Sequence, residues 1–181
     1  MTSDPMTRLF YLIIVSLTVA SLIACGDDDN GENNQEPVNN DDPPEMTALE
    51  EACLHAREDH PLDREATADR EDASANIAEG HTHFRITLPE STIEPDLYEG
   101  YAVYDVDAAD TYGLFASSGT PVLFLDSEGE MISSETETVD ECPEITTQHT
   151  VELDAGSHYI RLGPSHESEL STVTERLPEF E

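Results

Sequence analysis

Basic residues are the main shortage of this 181-residue sequence, which contains no lysine and only seven arginines against 41 acidic residues, for a formal net charge of −34. Nucleic-acid binding needs Lys and Arg side chains to neutralise phosphates, so that class of function is excluded. Electrostatic attraction to anionic lipid is excluded for the same reason. Apolar residues are also scarce, at 37%, although they suffice for a modest core.

Recognisable catalytic motifs are also missing. The sequence contains no G-x-S-x-G, H-E-x-x-H, P-loop or C-x-x-C pattern. Because acidic residues occur throughout, neighbouring carboxylates give no specific indication of glycosidase chemistry. We therefore predict a protein that is not an enzyme and that has no resident cofactor, with a bound Zn, Cu or Ca ion as the alternative.

The long apolar run covers residues 9–24 and follows Arg8. It is shorter than the roughly 20 residues of a membrane-spanning helix and is typical of a signal peptide. The run ends in Leu22-Ile-Ala-Cys25, which resembles the bacterial lipobox. The resemblance implies cleavage before Cys25 and attachment of diacylglycerol to its thiol; a short anchor helix with a chance cysteine is the alternative. Two or more acyl chains are enough for stable anchoring to a membrane.

These features predict a lipoprotein signal peptide at 1–24 and a lipid-anchored position in a bacterial cell envelope, in the outer membrane or at the cell surface rather than in the inner membrane. Residues 25–45 follow as the lipidated Cys and an acidic linker rich in Asn, Asp, Glu and Pro, with Val38 as its one aliphatic residue. A segment of this composition is predicted to be disordered. The alternative for Asp27–Asp29 is a sorting or calcium signal.

Residues 46–181 are predicted to form a single domain. Thr47 and Glu50 fit a capping box at the start of a short helix that Pro61 should end. Residues 63–79 show no pattern and are predicted as a loop. From His81 onwards apolar residues alternate with polar ones in several short segments, and residues 147–162 fit a hairpin. The predicted fold class is mainly β: an antiparallel β-sandwich with one short N-terminal helix.

Four segments, Tyr101-Ala-Val-Tyr104, Ala108–Leu114, Val122–Gly129 and Leu153–Leu162, together resemble the bacterial prepeptidase C-terminal type of β-sandwich. The resemblance implies a non-catalytic appendage of a secreted protein. That family usually has Tyr where His158 stands, so His158 is not carried over to any site. The whole chain also resembles short uncharacterised lipoproteins of Gram-negative bacteria. We therefore predict a non-catalytic binding or structural module that contacts envelope or extracellular partners.

The three cysteines divide into one lipidated residue and one pair. With Cys25 lipidated, Cys53 and Cys142 remain in an oxidising compartment, where an even remainder predicts a disulfide. The closed loop of about 90 residues is worth up to about 4–5 kcal/mol on the chain-entropy model. A nucleophilic cysteine and a metal thiolate are the alternatives. The disulfide would attach the N-terminal helix to the strands that follow.

Histidines supply the candidate transition-metal ligands. His81 and His83 lie two apart on a predicted strand and therefore point to the same face, an arrangement that Zn and Cu sites use. His149 and His55 are the candidate third ligands. The strand pattern, however, places His149 on the apolar face of its strand. His81 and His83 lie on the opposite side of their strand from its apolar face. The alternative is that these are surface imidazoles among carboxylates.

Carboxylates supply a separate candidate calcium site. Asp105 and Asp107 lie on one face of a predicted strand, and Asp110 lies in the turn that follows. Oxygen-rich loops of this kind suit Ca²⁺. The spacing does not match an EF-hand, and chance clustering is the alternative in so acidic a sequence.

Overall fold

The computed structural model of this protein describes residues 46–57, 60–78 and 80–177, which all belong to one compact unit. The predicted signal peptide (1–24) and the predicted linker (25–45), with Cys25, lie outside the described residues. Within the described ranges, no helix has both the length and the apolar character needed to cross a membrane.

Strands dominate the described residues. One α-helix, α1 (Ala48–Ala56), and one 3₁₀ turn (Arg70–Asp72) accompany ten strands there. The strands are β1 (Leu62–Glu65), β2 (Thr82–Thr87), β3 (Tyr98–Val106), β4 (Asp110–Ala116), β5 (Val122–Leu125), β6 (Met131–Ile132), β7 (Ser134–Thr138), β8 (Thr147–Leu153), β9 (Gly156–Ser165) and β10 (Glu169–Arg176). The predicted mainly β class with one short N-terminal helix is confirmed.

The strands form two sheets. The larger sheet has the order β1-β2-β10-β4-β8-β7, and the smaller sheet has the order β3-β9-β5-β6. The strand pairs of the described residues are antiparallel except β1 and β2, which are parallel. The expectation of purely antiparallel pairing is therefore wrong at this edge. The chain between β1 and β2 is long enough for the crossover that parallel neighbours require.

Residues 147–162 form two strands but not the predicted hairpin. β8 pairs with β4 and β7 in the larger sheet, whereas β9 pairs with β3 and β5 in the smaller sheet. Val151 and Leu153 of β8 still meet Ile160 and Leu162 of β9 in one buried cluster. The alternation located the apolar face of each strand correctly, but the two faces meet across the core and not within one sheet.

The two faces of the larger sheet are covered by different elements. The inner face contributes Phe84 and Leu114 to the cluster that it shares with residues of the smaller sheet. The outer face contributes Phe115 and Val173 to a second cluster, which it shares with Ala52 and other residues of α1. Because successive side chains of a strand point to opposite faces, each strand of this sheet contributes to both layers.

Helix α1 begins at a capping box and is fixed by a disulfide. The Thr47 hydroxyl accepts a hydrogen bond from the N–H of Glu50 at 3.2 Å, and the Glu50 carboxylate accepts one from the N–H of Thr47 at 2.8 Å. Cys53 is bonded to Cys142, which lies between β7 and β8, with 6.1 Å between their Cα atoms. The predicted capping box and the predicted disulfide are both confirmed.

Two strands at the edges of the larger sheet were not predicted. β1 begins at Leu62 and continues into the segment predicted as a loop, and β7 has the sequence Ser-Glu-Thr-Glu-Thr. Most of their side chains are exposed, so no apolar alternation marks them. Charged side chains on edge strands are a common protection against pairing with another chain.

Candidate metal centre

Three elements bring a histidine pair and one carboxylate together on the outer face of the larger sheet. His55 lies in the last turn of α1, His81 directly precedes β2, and Glu175 lies near the end of β10. β2 and β10 are antiparallel neighbours in which Thr82 lies opposite Thr174. His81 comes just before Thr82 and Glu175 just after Thr174, so the two residues lie at the same end of the strand pair. Both side chains point towards α1.

The backbone at His81 supports this placement. Its N–H donates a hydrogen bond to the carbonyl of Thr174 at 3.1 Å, which continues the ladder between β2 and β10 by one residue. His81 has a φ of 56°, in the left-handed region that few residues other than glycine adopt. The turn into β2 thus places an imidazole ring beside the end of β10.

The distances between the three side chains are those of a compact ligand set. One ligand atom from each of His55, His81 and Glu175 lies within 4.8 Å of the others. Nδ1 of His81 is 2.8 Å from Oε2 of Glu175, and the two imidazole centroids are 5.7 Å apart. Ligand atoms of a tetrahedral Zn²⁺ are about 3.3 Å apart, given bond lengths near 2.0–2.1 Å. Sub-ångström to ångström side-chain shifts would therefore suffice to enclose such an ion.

Glu175 is the unusual member of the group because its side chain is only 1% exposed. Among the described residues, neither carboxylate oxygen accepts a side-chain hydrogen bond of normal geometry, although the backbone N–H and Nδ1 of His81 are both close. Burial raises the pKa of Glu175 above its ordinary value, and nearby His81 and His55 oppose that increase. A buried carboxylate without full hydrogen bonding is costly unless a cation compensates for its charge.

A second carboxylate borders the same group. Glu51 lies one turn before His55 on α1, so the two side chains lie on one side of the helix. Oε2 of Glu51 is 3.7 Å from Nδ1 of His81, and about a third of the Glu51 side chain is exposed. Glu51 also raises the pKa of Glu175 through charge repulsion. Its carboxylate therefore lies at the rim of the group, on the side that solvent reaches.

No protein-family model matches this chain, and no curated protein is significantly similar to it. The ligand atoms of the group indicate which ions it suits. Two imidazole nitrogens with one or two carboxylate oxygens suit Zn²⁺ and Cu²⁺, whereas Ca²⁺ and Mg²⁺ prefer oxygen ligands alone. In the described parts of the chain, this is the one group of three His, Cys, Asp or Glu side chains with such close ligand atoms.

The other two predicted histidine ligands lie elsewhere. His83 points to the outer face as predicted, but its ring lines a separate cavity of about 290 Å³ together with Ala56 and Phe115. His149 is buried at 3% exposure on the inner face, where Nδ1 is 3.0 Å from the hydroxyl of Thr136. Burial lowers the pKa of His149 to about 4. Of the four candidates, the structure brings together His55 and His81 only.

The three predicted calcium ligands do not form a close group in the structure. Asp105 lies in β3 of the smaller sheet and accepts a hydrogen bond from Ser157. Asp110 begins β4 of the larger sheet and pairs with Arg176. A hydrogen bond from the N–H of Thr111 and the contact with Arg176 hold the pKa of Asp110 below its ordinary value. Asp107 is exposed between these two strands.

Glu175 is the one member of the group with His55 and His81 that the sequence did not point to. It is one of 41 acidic residues. The available signal was weak: Glu175 lies two residues after Val173, so it shares the outer face with a buried valine. An acidic residue at an apolar position of a strand indicates a buried charge, but only the packing of α1 shows which side chains face it.

Proposed function

We propose that this protein is a lipid-anchored envelope lipoprotein whose non-catalytic domain binds one Zn²⁺ or Cu²⁺ ion through His55, His81 and Glu175. In this proposal the two sheets form a β-sandwich, and α1 covers its outer face. The observation that supports it most directly is the buried carboxylate of Glu175, which faces imidazole rings from two separate elements. The proposal combines the predicted binding module with the predicted alternative of a metal ligand.

A bound dication would compensate the negative charge of the carboxylates on this face. It would place a double positive charge next to a carboxylate that solvent does not reach, and next to Glu51 at the rim. The same ion would tie α1 to the ends of β2 and β10. At structural sites, protein side chains take all four coordination positions of Zn²⁺. His55, His81 and Glu175, with Glu51 as the fourth ligand, would supply that number, and no catalytic step is required.

The lipid anchor rests on the lipobox-like Leu22-Ile-Ala-Cys25 sequence. Acylation at Cys25 would hold the domain to a membrane that its highly negative surface would otherwise avoid. Replacing Cys25 by Ser should yield an unprocessed precursor that takes up no radiolabelled palmitate in bacterial cells. Normal maturation and acylation of that variant would contradict the lipoprotein assignment and leave the metal site unaffected.

The metal site is tested by titration of the full chain, purified in detergent and stripped of metal with a chelator. Isothermal titration with Zn²⁺ should show one tight site per chain. Loss of a residue that only orients a ligand weakens metal binding by about 10–100-fold. Replacement of a ligand itself, in His55→Gln, His81→Gln or Glu175→Gln, should therefore weaken binding by about 100-fold or more.

His166→Gln is the matched control because His166 is an exposed histidine outside the group, and it should bind Zn²⁺ like the wild type. Ca²⁺ should not compete for the site, since it prefers six to eight oxygen ligands. In the Cu²⁺ form, electron paramagnetic resonance should show two nitrogen ligands. Unchanged Zn²⁺ affinity in all three ligand variants would show that the proposed site is wrong.

A further inference from the structure

Few apolar side chains hold helix α1 on the outer face of the larger sheet. It has nine residues, of which only Ala52 and Cys53 are fully buried, with Ala48, Leu49 and Ala56 packed more loosely against the same cluster. Isolated helices of this length are not stable in water. Alanine side chains bury little apolar area, so their contribution to docking is small. The helix therefore depends on its cross-links to the rest of the domain.

Two cross-links attach the second half of α1. The disulfide joins Cys53 to Cys142 in the segment before β8. The proposed metal site joins His55 to His81 and Glu175, at the ends of β2 and β10. Residues two apart on a helix project about 200° apart, so the disulfide and the ion would hold the helix from two different sides.

We infer that the Cys53–Cys142 disulfide controls the affinity of the metal site, so that reduction of the disulfide releases the ion. This inference rests on the proposed function. The three-ligand set exists only while α1 is docked, because His55 is carried by the helix and the other two ligands are carried by strands. Without the helix, His81 and Glu175 remain as a two-ligand site.

The chemical step is an ordinary disulfide reduction. A dithiol reductant supplies two electrons and two protons; the bond between the two Sγ atoms breaks, Cys53 and Cys142 become thiols, and the reductant becomes a cyclic disulfide. The metal ion keeps its oxidation state and takes no part in the exchange. Its release follows from the increased freedom of α1.

The size of the effect follows from the docked fraction of the helix. Apparent affinity falls in proportion to the fraction of protein in the binding-competent state. If α1 is docked about a tenth of the time after reduction, the apparent Kd rises about tenfold. Coupling between two sites is reciprocal, so bound metal should in turn shift the disulfide equilibrium towards the oxidised form.

The first test compares Zn²⁺ titrations of two full-length chains in detergent, both carrying Cys25→Ala to remove the third thiol. One retains the disulfide and the other also carries Cys53→Ala and Cys142→Ala, so that no thiol can bind zinc. We expect the disulfide-free chain to bind Zn²⁺ at least about tenfold more weakly. Equal affinities would overturn the coupling and leave the proposed metal site intact.

The second test uses the unmodified disulfide and covers the case in which the disulfide-free chain does not fold. A phosphine, which is oxidised to its oxide with oxygen from water, reduces the chain carrying Cys25→Ala, with Zn²⁺ or with chelator present. Cys53 and Cys142 are both buried, so the phosphine reaches the disulfide only when α1 opens locally. Saturating Zn²⁺ binds the closed form only and should therefore slow the appearance of thiols at least about tenfold, and His81→Gln should abolish this protection. Equal reduction rates would overturn the inference. Absence of Zn²⁺ binding to the oxidised chain would overturn the proposed function as well.

Discussion

The inner face of the larger sheet buries His149 and its outer face buries Glu175, yet the surroundings of the two side chains differ. His149 lies on the same face of β8 as Val151 and Leu153 and contacts the hydroxyl of Thr136. Its lowered pKa keeps the imidazole neutral at physiological pH. Glu175 instead faces His55 and His81, with a further carboxylate nearby. The inner face thus holds a neutral imidazole, whereas the outer face brings several ionisable side chains together.

Under the proposed function, this contrast separates stability from metal binding within one sheet. The inner face buries large apolar side chains from both sheets, including Phe84, Tyr104 and Phe124, and such burial is the main source of folding free energy. The outer face has a small apolar cluster under a short helix and keeps the carboxylate of Glu175 at a buried position. Residues that conflict with local packing are expected at functional sites.

The larger expected effect concerns pH and the inner face. His149 is neutral in the folded protein, with a pKa of about 4, whereas an unfolded histidine has a pKa near 6.5. As the pH falls from 6.5 towards 4, the unfolded state takes up a proton that the folded state does not, so the free energy of unfolding decreases. The decrease due to His149 should approach about 3 kcal/mol at pH 4, at about 1.4 kcal/mol per pH unit.

The measurement is urea unfolding of the wild type and of His149→Asn between pH 7 and pH 4. Asn keeps a polar atom near the position of Nδ1 but does not titrate, so the variant should lose stability less steeply with falling pH. His166→Asn removes an exposed histidine and should leave the wild-type slope unchanged. Parallel curves for wild type and His149→Asn would mean that the pKa of His149 is the same in the folded and unfolded states, which would contradict the prediction.

Local patterns were sufficient for most single elements of this fold. The alternation around Phe84 and Ile86 located β2 and correctly placed His81 and His83 on the opposite face, while Thr47 and Glu50 located the start of α1. The cysteine count was enough to pair Cys53 with Cys142. The strand and helix predictions depend on residues that are close in sequence. The disulfide prediction depends on only two cysteines remaining once Cys25 is assigned to lipidation.

Relations between distant elements could not be predicted in the same way. Alternation shows which side of β8 and β9 is apolar, but it does not show whether the two strands lie in one sheet or face each other. For the same reason, the meeting of His55 with His81 could be considered only as one of two options. Glu175 could not be identified among 41 acidic residues, because its importance comes from burial under α1.

The smaller expected effect concerns charge on the outer face. In chelator at neutral pH, Glu175→Gln should raise the free energy of unfolding by about 1–2 kcal/mol, since it replaces a buried carboxylate by a neutral side chain of the same shape. Saturating Zn²⁺ should reverse the order of the two proteins. A ligand at 100 times its Kd stabilises the folded state by about 2.7 kcal/mol, and only the wild type should gain this.

Urea unfolding with and without Zn²⁺ measures both halves of this prediction, and Glu169→Gln provides the matched control. Glu169 lies on the same strand as Glu175 but is exposed, so its replacement should change stability little in either condition. If Glu175→Gln were destabilising in chelator, the carboxylate would already be well compensated by its protein neighbours. In that case the outer face would resemble the inner one, with a buried ionisable group that serves stability alone and needs no cation.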